Sequence, residues 1–317
     1  MKRRTIVLAA AAAALFVAVA VVQRRQRAAA EEAAAPRAGV ETAFASETPR
    51  PRLVALDPGL AEALYMLGLG GHLVARTAFT DFPAPVTNLP VVADARGLDL
   101  DALRDARPDF TILPEPMFSA DLHKALEERR LSHFTVRNAT LSDFYQCVYE
   151  LAVRFGEEET ARLWLETMNE ITGDAAGRVA TAATRAGGRA PSVLLVLGRP
   201  ASSPDRVLAA GRQSFHQGLL DALALPNACP GEVQYAEMSL DEAAALRPDV
   251  LVEIRPAGGD EAVLSVLGDW AARPDAPAVR TGDVHVLTDA WALRAGPRID
   301  LLLSTLADYA ARWAEKQ

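Results

Sequence analysis

The chain has little cysteine, two residues in 317, Cys147 and Cys229. That excludes a disulfide-built scaffold and the paired-cysteine spacing of a zinc site. Histidine is sparse too: His72, His123, His133, His216 and His285 are dispersed, without His-x-x-x-His spacing, so no metal site and no cofactor of the protein's own is expected. Cations are outnumbered, 33 Lys and Arg against 41 Asp and Glu, and the formal net charge of -8 argues against a nucleic-acid partner. An enzyme reading lacks its parts, since there is no Gly-x-Ser-x-Gly elbow, no phosphate loop and no local Cys-His signature. An exported hydrolase with a dispersed triad stays open as the alternative of another class.

What is present is a repeat. Residues 100–113 (LDALRDARPDFTIL) and 240–253 (LDEAAALRPDVLVE) read as copies 140 positions apart. Each is a short amphipathic helix stopped before a proline and followed by a buried strand. At the same offset the apolar run 53–56 falls on 193–196. The fold class is α/β, and the repeat predicts two related lobes with a cleft between them, where small molecules bind. A length of 317 residues suits two hydrophobic cores.

Residues 1–27 read as targeting. Lys2, Arg3 and Arg4 precede an uncharged run of 18 residues, 5–22, and Arg24, Arg25 and Arg27 follow it. The run suits either a signal peptide cleaved after Ala28-Ala29-Ala30 or a signal anchor in the inner membrane. No cysteine lies near its end, which excludes lipid attachment there. Residues 28–50, rich in Ala, Glu, Thr and Pro, read as a flexible tether. Residues 51–140 then form an N-terminal α/β lobe, 141–186 an interdomain helical segment and 187–317 a C-terminal α/β lobe. Ala161, Trp164, Leu165, Met168, Ile171, Ala175 and Val179 recur every three or four residues and predict one long connecting helix. The glycines at 68, 70 and 71 follow a helix, so they read as its stop instead of a phosphate loop.

Residues 52–70, the loop Thr80-Asp81-Phe82-Pro83, the strand Gly282-Asp283-Val284-His285-Val286-Leu287 and the segment Arg294-Ala295-Gly296-Pro297-Arg298 resemble, in that order, the periplasmic substrate-binding proteins of ABC importers for cobalamin, haem and ferric siderophores. The resemblance implies two α/β lobes joined by a single long α-helix, with a ligand groove between the lobes. It implies a monomeric, periplasmic, non-catalytic protein whose cargo carries its own iron or cobalt. Its partners would be that metal chelate, the ABC permease subunits and, through residues 5–22 if uncleaved, the inner membrane. Asp101 and Asp241 fall where the family places two permease-docking acids, usually Glu. A membrane-tethered sensor or chaperone for the same cargo is the alternative within this class.

Strand ends and loops offer candidate ligand-binding residues: Phe82 and Phe118 in the first lobe, and Arg199, Phe215, His216, Tyr235, Arg255, Trp291 and Arg294 in the second. Aromatic side chains stack on flat rings, and arginines grip carboxylate or catecholate oxygens with two donors. Arg199 and Arg255 lie just past apolar strands. With Arg294 they are expected to form a basic wall. His216 could reach a cargo metal, though a hydrogen-bonded surface histidine is the plainer reading. Arg298 reads as a surface cation at a helix start, and Cys147 and Cys229 could pair across the lobes.

Overall fold

The computed structural model describes residues 51–256 and 259–317. The expected targeting segment and tether lie outside the described residues. The first lobe runs β1 (Leu53–Ala55), α1 (Pro58–Met66), β2 (Leu73–Thr77), β3 (Val91–Asp94), β4 (Gly97–Leu98), α2 (Leu100–Asp105), β5 (Phe110–Pro114), α3 (Ala120–Glu128) and β6 (His133–Val136). Its sheet has the order β4-β3-β2-β1-β5-β6, parallel except where β3 meets β4. Helices cover both faces of such a sheet, which is why β1 is an unbroken apolar run buried along its whole length. The Asp57 side chain caps α1 by accepting from Leu60 N–H, Pro58 opens the helix, and Gly68 at φ +80° follows its end as a glycine stop does.

Two helices carry the chain across, α4 (Leu141–Phe155) and α5 (Glu158–Arg185). The second lobe then runs β7 (Val193–Gly198), β8 (Arg206–Ala210), α6 (Phe215–Ala222), β9 (Tyr235–Ser239), α7 (Leu240–Ala245), β10 (Val250–Ile254), α8 (Asp260–Ala271), α9 (Pro277–Thr281), β11 (Val284–Leu287) and α10 (Ile299–Ala314). The sheet order is β11-β10-β7-β8-β9, with β11, β10 and β7 parallel and the last two strands antiparallel.

The repeat is visible atom by atom. Leu53 pairs with Phe110 between β1 and β5, and Val193 pairs with Val250 between β7 and β10. Arg107 and Arg247, each held before a proline that disfavours the right-handed helical region, take left-handed φ values of 49° and 54°. Asp109 Oδ2 then accepts Arg52 N–H at 2.7 Å, and Asp249 Oδ2 accepts Ser192 N–H at 2.9 Å. Each Arg-Pro-Asp turn thus ties the start of one central strand to the start of its neighbour.

The connector α5 is 28 residues, about 42 Å at 1.5 Å per residue. Ala161, Met168, Ala175, Val179 and Ala182 form its buried stripe, most of it against the second lobe and α10. Its partner α4 belongs to the first lobe's core through Phe144, Cys147, Val148, Leu151 and Ala152. Trp164 and Tyr145 touch both cores, with ring centroids 5.7 Å apart. The joint is therefore a packed aromatic seam, which resists hinging. Cys147 and Cys229 are both buried and both free, so no bridge crosses the lobes.

Candidate ligand-binding groove

Open α/β sheets present ligand residues beyond the carboxyl ends of their strands. In the first lobe those ends lead to Phe79, Asp81 and Phe82 after β2, and to Met117 and Phe118 after β5. In the second they lead to Arg199 after β7, Arg255 after β10, and Trp291 and Arg294 after β11. Arg294 crosses from one set to the other. Its Nη1 donates to Asp81 Oδ1 at 2.7 Å, its Nη2 to Asp81 Oδ2 at 3.2 Å and to the Phe79 carbonyl at 2.9 Å. Burial alone would raise the Asp81 carboxyl, but the hydrogen bond and charge of Arg294, helped by Arg298, outweigh it and hold Asp81 below its ordinary 3.8.

Arg199 does not face the groove as a free cation. Its side chain is 6% exposed and grips Glu253, which is fully buried, through Nε at 2.8 Å and Nη2 at 2.9 Å. Its Nη1 goes to Asp269 at 2.5 Å and to the Pro204 carbonyl. Trp270 Nε1 donates to Glu253 Oε2 as well. The expected basic wall is thereby reduced, because the donors of Arg199 and Arg294 are engaged by the protein's own carboxylates. Arg255 is different: its side chain is 35% exposed and the Glu253 carboxylate stands 4.0 Å from its Nε.

Three further candidates lie beneath the surface. Phe215, His216 and Trp291 are buried; Phe215 and Trp291 belong to the second lobe's core. A strand end or helix start can aim a side chain inward as readily as outward, and sequence position alone does not distinguish the two. His216 Nε2 donates to the Ala292 carbonyl at 2.9 Å, and burial holds the ring below its ordinary value, so it is neutral and not a surface histidine. Its Nδ1 and the Trp291 Nε1 are buried without a partner.

Phe79, Phe118, Tyr149 on α4 and Tyr235 are exposed aromatics, with Phe82 half-buried. Phe118 packs its ring 5.6 Å from that of His123. The Phe82 ring lies under the Arg298 guanidinium, 4.2 Å from it. Sequence reading missed Phe79, and it missed the partner of Arg298, which packs against the buried Glu62 of α1 with contacts of 2.6 and 2.9 Å. The signal was available. Glu62 is a lone carboxylate among Leu60, Ala61, Ala63 and Leu64 in a helix whose apolar side faces inward, and a buried charge needs a partner.

Asp101 and Asp241 are both exposed, on α2 and α7. Arg104 lies 3.3 Å from Asp101, and Arg273 Nε donates to Asp241 at 2.7 Å. Two cavities, of about 180 and 610 Å³, lie instead along β6 and α4 of the first lobe and touch none of the candidate residues. Among the described residues no group of three or more His, Cys, Asp or Glu side chains is placed to hold a metal ion, and no helix is long and apolar enough to cross a membrane.

Comparison with known proteins agrees with this architecture. An uncharacterised ABC transporter substrate-binding lipoprotein of Bacillus subtilis, YvrC, is 23% identical over 252 residues, 78% of this chain and 76% of the relative. The vitamin B12-binding protein of Vibrio parahaemolyticus is 24% identical over 263 residues, 79% of this chain and 86% of the relative. A solved periplasmic heme-binding protein from Pseudomonas aeruginosa matches with a TM-score of 0.72 at 26% identity, covering 84% of this chain and 94% of the other. The profile of the family described as periplasmic binding protein matches residues 53–290, from β1 to the turn after β11, and the chain belongs to that family.

Proposed function

We propose that the protein captures a flat, metal-bearing chelate outside the cytoplasm, a ferric siderophore, haem or cobalamin, and hands it to an ABC import permease. The observation that carries this reading is the set of side chains beyond the carboxyl ends of the strands. Phe79, Phe82 and Phe118 follow β2 and β5 of the first lobe, and the half-exposed Arg255 follows β10 of the second. Aromatic faces suit a macrocycle or catechol, and one guanidinium suits an acidic group on it. The relatives that bind vitamin B12 and heme support the cargo class. The cargo brings its own metal, and the protein supplies orientation.

The candidate residues bind and do not react, since none of them joins a nucleophile to a base. Delivery rests on Asp101 and Asp241, two exposed carboxylates on equivalent helices, which suit a pair of cationic contacts on the permease. The protein acts as a monomer in this scheme. Its test is an absorbance titration of the purified protein with haemin, cyanocobalamin and a panel of ferric siderophores. A saturable spectral shift with one of them supports the reading, and no shift with any of them overturns it.

A further inference from the structure

Besides the α4–α5 seam, the lobes meet where α1 faces the segment before α10. Gly59 at the start of α1 lies so close to the second lobe that an added Cβ would sit 2.0 Å from the Ala295 carbonyl oxygen. Gly296 faces Gly59 less tightly, its added Cβ 3.4 Å from the Gly59 Cα, at the edge of ordinary contact. Ala295 packs against both cores. On either side of this backbone contact stand two ion pairs of unequal character. Glu62 receives Arg298 through both carboxylate oxygens and Arg294 Nη1 at 3.4 Å, with the carboxylate 3% and Arg298 19% exposed. Arg294, itself 15% exposed, then reaches out to Asp81, which is 57% exposed.

We propose that these residues form a two-part clamp on the groove, in which Glu62 and Arg298 are a pivot around a buried carboxylate and Arg294 with the solvent-exposed carboxylate of Asp81 a latch that sets how far the lobes part. The inner pair is shielded from water and from salt, so it persists through motion. The outer pair meets water and salt on its Asp81 side and is the weaker of the two. Arg298 also lies over the Phe82 ring, so the pivot fixes the pose of an aromatic on the groove wall. Glu62 acts on cargo only through these neighbours and is a positioning residue. The link to cargo rests on the proposed function; the clamp itself does not.

The test therefore has an arm without cargo. Spin labels on Asp121→Cys in α3 and Glu261→Cys in α8, both exposed positions, report the interlobe distance by electron–electron double resonance, while Cys147 and Cys229 are buried from the label. Asp81→Asn is expected to broaden the distance distribution. Raising salt from about 20 mM to about 500 mM is expected to broaden the wild type but not Asp81→Asn. Glu62→Gln is expected to shift the mean distance, and where that variant does not fold, Glu62→Asp, which keeps the charge and withdraws the fork, takes its place. In the second arm, with whichever of haemin, cyanocobalamin or ferric desferrioxamine binds, Asp81→Asn is expected to raise on-rate and off-rate together about tenfold and leave Kd within about threefold. A simple loss of folding support would lower the melting temperature without this paired change of rates. Distances insensitive to salt and to both substitutions overturn the clamp. If the distances respond and none of the three probes binds, the clamp stands and the cargo reading falls.

Discussion

Arg199 and Glu253 face each other with two hydrogen bonds inside the second lobe, at 2.8 and 2.9 Å, in a site that water does not reach. The pair makes Arg199 a residue of the fold. Arg199→Ala leaves a fully buried carboxylate with Trp270 and little else, and breaking one side of a buried pair costs about 3 to 5 kcal/mol. The expected outcome is a large drop in the denaturant midpoint, with cargo affinity of the folded protein within about threefold of wild type, a change below about 1 kcal/mol. Chemical denaturation and titration on the same sample check it, and a stable Arg199→Ala that has lost its cargo would return this arginine to the groove.

Arg255 is expected to behave in the opposite way. Its half-exposed guanidinium stands 4.0 Å from Glu253, beyond hydrogen-bond reach, so Arg255→Ala should change stability by about 0.5 kcal/mol or less. A charge-assisted bond to an acidic group on the cargo is worth about 1.5 to 3 kcal/mol, which is about a ten- to hundredfold loss of affinity. Arg255→Lys should recover part of it, because an ammonium cannot offer the two-pronged fork. Tryptophan quenching by the bound chelate measures both variants.

The contrast between these two arginines shows where sequence reading stopped. The lobes were legible, because the offset of 140 residues repeats a strand start, a helix and an Arg-Pro-Asp turn, and the structure gives the repeated turn the same backbone tie twice. The connector was legible because a stripe at helical spacing has one burial solution, which α5 adopts. Side-chain direction at a strand end was not legible. Arg199 and Arg255 both follow apolar strands, and only the partner 54 residues away turns Arg199 inward. Even there a clue existed: Glu253 stands where the first copy has Leu113, a charge in an otherwise buried strand, and such a charge calls for a cation. The burial of Phe215, His216 and Trp291 was not legible for the same reason, since an aromatic near a helix start packs inward when the core has room for it.

Transport should separate from binding at the two helix acids. Asp241 pairs with Arg273 at the surface and Asp101 with Arg104, and exposed pairs of this kind contribute about 1 kcal/mol or less. Asp101→Ala combined with Asp241→Ala is therefore expected to fold and bind cargo near wild type while uptake through the permease is lost. Uptake by cells and affinity of the purified double variant are the two measurements. Equal losses in both would place these carboxylates in recognition and not in docking.

The last expectation concerns acid. His285 lies in β11, stacked on Tyr309 with ring centroids 3.6 Å apart, and its Nε2 is buried without a partner. Burial, reinforced by the nearby charges of Arg312 and Lys316, pushes its pKa down to about 3 from 6.5. The sign follows from proton counting. Between those two values the unfolded chain protonates this histidine and the folded one does not, so its contribution to stability is full above pH 6.5 and is lost as pH falls toward 3. The full slope is about 1.4 kcal/mol per pH unit. His285→Phe keeps an aromatic ring against Tyr309 and removes the titration, so denaturant unfolding of the variant between about pH 6 and pH 4 should lose stability more gently than the wild type by roughly that slope. His216, also held below its ordinary value by burial, titrates in the same direction and remains in both proteins, so it cancels from the comparison. Identical slopes in the two proteins would mean that His285 is protonated in the fold, against the burial that β11 and α10 impose on it.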